Sequence, residues 1–233
     1  MVPTVFVPGL LCTAEVFAPQ IAALWPYGPV TVASTLEGKT IAEMAAAILA
    51  SAPPRFALAG ISMGGYISFE ILRQAPERVL KLALLSTHAR PDSPEQTAQR
   101  RVFAAQAHSL SSEAFAALIA PTLKALLHPA HQDDPDFSKN NVRMGQTVGV
   151  DALQRQLEAV MARVDSRPSL PAIAVPTLVL VGDGDPLIPV DRAQEMATAI
   201  PHARLVVVPE CGHLSTLEQP AAVNRALIEW IAG

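Results

Sequence analysis

Six short runs rich in valine, leucine and isoleucine recur along the chain with helical patterns between them, and this alternation leaves few folds open. The runs are Thr4–Val7, Pro29–Ala33, Phe56–Gly60, Leu80–Leu85, Thr177–Val181 and Leu205–Val208. Most are continuously apolar rather than alternating, which is the mark of strands buried on both faces of a parallel sheet. Helical periodicity occupies residues from about Ala14 to Leu24, then Ile41–Ala50, Met63–Gln74, Pro189–Ile200 and Pro220–Ile231. Thr40 stands where an N-cap belongs, Pro76 lies where the third helix must stop, and Pro220 sits at a first-turn position. Strands and helices in this order predict a doubly wound α/β sheet.

One stretch breaks the alternation. From about Arg90 to Arg167 no strand is legible, and helical segments are expected near Glu95–His108, Ser112–Leu127, Ser138–Val148 and Ala152–Val164, the last capped by Asp151. This predicts a helical insertion between two sheet strands. The proline-rich Arg167-Pro168-Ser169-Leu170-Pro171 leads back into the sheet.

With 233 residues, half of them hydrophobic, the chain suits one α/β domain carrying an inserted subdomain. The net charge is -4, from 17 basic and 21 acidic residues, and the densest basic point, Arg100-Arg101, is read as solvent-facing. Nucleic acid is therefore not an expected partner. No apolar run is long enough to span a bilayer. Met1 leads directly into Val2-Pro3-Thr4 with no basic n-region, so a cytoplasmic location is expected. Two cysteines, Cys12 and Cys211, are too few for a disulfide framework.

The chemistry concentrates at three strand ends. Gly60-Ile61-Ser62-Met63-Gly64 lies between a strand and a helix and fits G-x-S-x-G, the nucleophile elbow. The pattern alone is weak, since a glycine-rich turn with a helix-capping serine would also produce it. Its steric logic is that positions two before and two after the serine approach closely, so side chains there would clash. A serine hydroxyl needs a base, and a histidine held by a carboxylate supplies one. Val181-Gly182-Asp183-Gly184-Asp185-Pro186 follows the fifth run, and Cys211-Gly212-His213-Leu214 follows the sixth. The chain order is Ser, Asp, His, as this elbow architecture requires.

On these residues the chain resembles the α/β-hydrolase superfamily from end to end. Gly182, Asp185 and Pro189 match the family's G-x-x-D-x-x-x-P pattern, which favours Asp185 over Asp183 as the acid, Asp183 being read as a turn residue. Gly212-His213 matches the family's Gly-His pair, and Gly212–Pro220 is similar to the endings of enol-lactonases and small carboxylesterases. The resemblance implies a mostly parallel sheet of about six strands with the usual N-terminal hairpin missing. It implies a core of residues 1–89 and 168–233 and a cap of residues 90–167. Ser62, His213 and Asp185 are the expected catalytic triad. The expected oxyanion donors are the backbone N–H groups of Met63 and Leu10, although Pro8-Gly9 replaces the family's His-Gly.

The expected activity is serine hydrolysis of a small carboxylic ester or lactone through an acyl-enzyme, with no cofactor or metal. Two alternatives share the fold: a triad-bearing small-molecule sensor with little turnover, and an acyltransferase or C–C bond hydrolase. Phe103, Phe115, Leu118, Leu123 and Met144 are candidates either for the pocket wall or for packed core. His88 follows a strand end and is a pocket candidate. The cluster from His128 to Asp136 is read as a solvated loop rather than a metal site, because prolines interrupt it. Cys12 and Cys211 are read as small packing residues.

Overall fold

All four residues of Thr4–Val7 are buried, with Val5 and Val7 packed into one apolar cluster and Phe6 into another. In this computed structural model, which describes residues 1–233, the same division runs through the whole sheet. The strands are β1 (Thr4–Val7), β2 (Val30–Val32), β3 (Phe56–Ile61), β4 (Val79–Leu85), β5 (Thr177–Gly182) and β6 (Arg204–Val208). They form one sheet in the order β2-β1-β3-β4-β5-β6, and every pairing is parallel. Period-2 alternation sends Leu58, Leu82, Leu84, Val179 and Val181 to one face and Ala57, Ala59, Leu85, Leu178 and Leu180 to the other. Both faces are covered, which is why these strands read as unbroken apolar runs.

The helices between strands supply the two covers. On the second face lies α1 (Ala18–Leu24), preceded by a 3-10 turn over Ala14–Phe17. A single helix was expected over this region; Pro19, in the first turn of α1, has no N–H to continue one from the turn. The Phe6 and Phe17 rings stack at 4.4 Å between centroids. On the first face lie α2 (Ile41–Ser51), whose N-cap Thr40 accepts from Glu43 N–H, and α3 (Met63–Gln74). Burial of each large aliphatic side chain in these layers contributes about 1.5–3 kcal/mol.

Three helices lie between β4 and β5: α4 (Pro94–Ala107), α5 (Ser112–Ala125) and α6 (Pro135–Met161). A capping box between Ser93 and Gln96 starts α4. Two separate helices were expected where α6 runs, and the structure places the break at Gly149, with φ 78° and ψ 168°. That conformation suits glycine, and it puts Asp151 in the first turn after the break rather than at the cap expected for it. The insertion shares the main core: Val160 and Ala159 join the first cluster, and Met144 and Leu127 the second.

After β5 come α7 (Val190–Ala199) on the first face, then a single turn α8 (Ser215–Glu218) and α9 (Pro220–Ala232), whose Leu227 and Trp230 pack on the second. No helix is long and apolar enough to cross a membrane. With all strands parallel, the loops after β1, β3, β4, β5 and β6 gather at one edge of the sheet, where ligands bind in open α/β folds.

Candidate active site

Ser62 sits at the hinge between β3 and α3 with φ 54° and ψ -118°, a conformation that L-residues adopt only under constraint. The constraint is visible. Ser62 N–H donates to the Leu85 carbonyl at 3.0 Å, and its own carbonyl accepts from Gly65 N–H at 2.9 Å and Thr87 Oγ1 at 2.8 Å. A Cβ on Gly60 would lie 2.3 Å from the Gly64 carbonyl oxygen, and one on Gly64 would lie 2.0 Å from that of Val7. The two glycines thus let β1, β3 and α3 converge beneath the serine.

His213 reaches this point from the loop after β6. Its Nε2 lies 2.9 Å from Ser62 Oγ, and its Nδ1 lies 3.0 and 2.9 Å from the two oxygens of Asp185. A carboxylate only accepts, so Nδ1 carries the proton and Nε2 is left to accept from the serine hydroxyl. Asp185 Oδ1 also accepts from Leu187 and Ile188 N–H, both at 2.9 Å, which fixes the carboxylate's orientation. Asp183 is exposed and accepts from Cys211 N–H at 3.3 Å, a loop-holding role. Three groups separated by 28 and 151 residues in sequence therefore form one hydrogen-bonded line.

The turn after β1 packs against this line: a Cβ on Gly9 would lie 3.2 Å from Ser62 Cβ. Neither Leu10 N–H nor Met63 N–H, the first of α3, donates to any protein acceptor. Pro8, without an N–H, takes no donor away from this turn.

Above Ser62 and His213 lies a cavity of about 350 Å³. Phe103, Leu123 and Met144 of the insertion line it, whereas Phe115 and Leu118 pack inside the insertion. A larger hollow of about 520 Å³ beside Gly149 touches none of the three.

A family model described as alpha/beta hydrolase fold matches residues 37–220. The chain belongs to this family. The α/β hydrolase is 29% identical over 202 residues to a protein named as a non-heme bromoperoxidase from Mycobacterium tuberculosis, covering 82% of this chain and 74% of that one. The structure of a thermophilic esterase from Thermogutta terrifontis superposes with a TM-score of 0.87 at 28% identity, covering 100% of this chain and 90% of that one. An enol-lactonase from Burkholderia xenovorans LB400 gives the same TM-score, 0.87, at 24% identity over 100% and 92% of the two chains, a likeness of fold.

Two further residues of this α/β hydrolase support the site: Glu218, which lies in the Gly212–Pro220 run but was not singled out there, and Gln156, which carries no signal in the sequence. Glu218 is buried. Its Oε2 accepts from Gly212 N–H at 3.0 Å and His128 N–H at 2.8 Å, and its Oε1 from Leu214 N–H at 3.0 Å. It thereby grips both neighbours of His213 and ties them to the insertion, where Leu126 carbonyl also accepts from His213 N–H at 2.8 Å. The His128–Asp136 stretch, expected as a solvated loop, is thus anchored at its first residue. Gln156 of α6, also buried, accepts from Leu11 N–H at 3.1 Å and donates to Thr35. Its grip holds the turn after β1, where Leu11 has φ 60°.

His88 does line the cavity, and its Nε2 lies 3.1 Å from the Tyr66 hydroxyl. Burial, reinforced by the charge of Arg163, pushes its pKa from 6.5 down to about 4. Between those values the unfolded chain binds a proton that the folded one refuses, so stability falls as pH drops from about 6.5 to about 4. The loss amounts to about 3 kcal/mol. Urea unfolding at pH 7 and pH 4 is expected to show wild type losing that much more than His88→Gln; equal losses would contradict it. Burial also pushes the Cys12 thiol up to about 12 and raises that of Cys211, so both stay protonated near neutrality.

Proposed function

We propose that this α/β hydrolase is a serine hydrolase of small carboxylic esters or lactones. The observation that carries the reading is the unbroken hydrogen-bonded line from Asp185 through His213 to Ser62. Ser62 Oγ attacks the substrate carbonyl as His213 Nε2 takes its proton. Asp185 holds the imidazole tautomer and stabilises the imidazolium that forms. The tetrahedral oxyanion is held by Leu10 and Met63 N–H, each contributing about 3 kcal/mol to lowering the barrier. Collapse expels the alcohol, which receives the proton from His213. Water then attacks the acyl-Ser62 carbonyl with His213 again as base, releasing the acid and restoring the hydroxyl. Side chains, backbone amides and water supply every step.

Residues 90–167 act as a cap over a core of residues 1–89 and 168–233. The apolar wall from Phe103, Leu123 and Met144 supports this role, since it lines the same cavity as Ser62 and His213. The kinship with a thermophilic esterase supports ester hydrolysis. Wild-type protein is expected to hydrolyse p-nitrophenyl esters with saturation. One equivalent of a fluorophosphonate is expected to stop it by modifying Ser62. No turnover across acetate-to-decanoate esters and simple lactones, together with no labelling, would overturn the reading.

A further inference from the structure

The cavity over Ser62 is largely apolar, yet one charged side chain that has no place in the steps above lines it. Arg100, on α4, is that residue, and no aspartate or glutamate joins it in the wall. Its Nε donates to Asp92 Oδ2 at 2.7 Å, while its two terminal nitrogens have no protein acceptor. Asp92 does not neutralise it alone, because Asp92 Oδ1 is taken by Arg163 Nη1 at 2.6 Å. One carboxylate between two guanidinium groups leaves one positive charge over. Arg163 cannot present that charge to a ligand: its side chain is 3% exposed and lies under the Tyr66 ring, with Cζ 4.3 Å from the centroid. The Arg100 side chain is 29% exposed, so the surplus charge is offered there.

A second donor faces the same cavity. Tyr66, on the first turn of α3 just after Ser62, lines it. His88 Nδ1 accepts from Arg90 N–H at 3.1 Å, so the His88 proton is on Nε2 and is donated to the Tyr66 oxygen. The Tyr66 hydroxyl proton is then free for a ligand oxygen. His88 stays neutral near pH 7 and adds no charge of its own. This side of the cavity therefore offers a guanidinium and a hydroxyl donor.

Resting on the hydrolase reading, we infer that the substrate is an anionic ester or lactone, with a free carboxylate on one arm that pairs with the terminal nitrogens of Arg100. A planar carboxylate matches the two parallel N–H directions of a guanidinium, and the mostly apolar wall strengthens the pair by excluding water. A neutral ester in the same place would cover the terminal nitrogens of Arg100 without a carboxylate to balance the surplus charge, which is the costly arrangement. Selection is therefore for hemiesters of dicarboxylic acids, or lactones carrying a carboxylate, over their fully esterified counterparts.

The test compares monomethyl and dimethyl esters of succinate, glutarate and adipate at low salt. For the chain length that fits, kcat/KM is expected to favour the monoester by roughly 10- to 100-fold, mostly through KM. Arg100→Gln is expected to bring that ratio close to one, and Arg100→Lys to keep part of it. A wild type that prefers the diesters at every length, or an Arg100→Gln variant that loses equally on both, would overturn the inference. In parallel, calorimetry of Ser62→Ala with adipate, glutarate and succinate reads the carboxylate site without turnover. Binding is expected for at least one of them, weakened about tenfold or more by adding Arg100→Gln. Binding indifferent to Arg100 would sink the inference. If Arg100-dependent binding is seen while no ester is ever hydrolysed, the hydrolase reading falls and the carboxylate site stands.

Discussion

Ser62→Ala is expected to lower kcat for p-nitrophenyl acetate by about a millionfold, with circular dichroism and thermal midpoint close to wild type. The size of the loss follows from the geometry. The hydroxyl is the one nucleophilic atom placed 2.9 Å from His213 Nε2. On the proposed mechanism its removal would leave only the amides of Leu10 and Met63 to stabilise charge developing from a poorly placed water, so a small residual rate is expected. Asp185→Asn is the graded companion. Asparagine would keep the backbone bonds from Leu187 and Ile188 to its carbonyl oxygen while turning an amide donor toward His213 Nδ1. The imidazole would then place its proton on Nε2, where it cannot accept from serine, and kcat is expected to fall by about ten-thousandfold. Equal activity of either variant and wild type would remove that residue from the relay.

Gly64→Ala is expected to abolish soluble expression, or to lower unfolding free energy by more than about 4 kcal/mol. The added methyl would lie 2.0 Å from the Val7 carbonyl oxygen and 3.0 Å from that of Pro8, both backbone atoms at the carboxyl end of β1. Relief requires β1 and α3 to separate, which would carry the Leu10 amide away from Ser62 and open the core between the strands. Gly149→Ala is the control. A Cβ there meets nothing within 4 Å, and only the backbone conformation at φ 78° resists it, at about 1–3 kcal/mol. Comparable losses for the two substitutions would refute the steric account of the elbow.

How much of this could be read from the chain depends on how local each signal is. The six strands were legible because a residue buried on either face of a parallel sheet must be apolar, so Phe56–Ile61 and Thr177–Gly182 announce themselves without partners. The convergence of Ser62, Asp185 and His213 was legible because each stands in a short pattern at a strand end. Breaks inside helical regions were legible only in part: the one expected between Val148 and Ala152 falls at Gly149, two residues before the cap expected at Asp151, whereas the split that Pro19 makes in the first region was not foreseen. Phe103 and Phe115 are both apolar residues in helical segments of the insertion, so only the fold could send one to the cavity and the other to the interior of the insertion. Glu218 and Gln156 stayed hidden because their remote partners are His128 and Leu11, 90 and 145 residues away. Arg100 looked like a surface charge until the fold placed it in the cavity wall, with a buried carboxylate holding one side of it.

The relay itself is tested most directly by trapping its covalent intermediate. Rapid acid quench during turnover of p-nitrophenyl acetate, followed by peptide mass spectrometry, is expected to find one acetyl group on the peptide containing Ser62 and none in Ser62→Ala. Steady turnover with no acyl group on Ser62, or with the acyl group on another residue, would contradict the account.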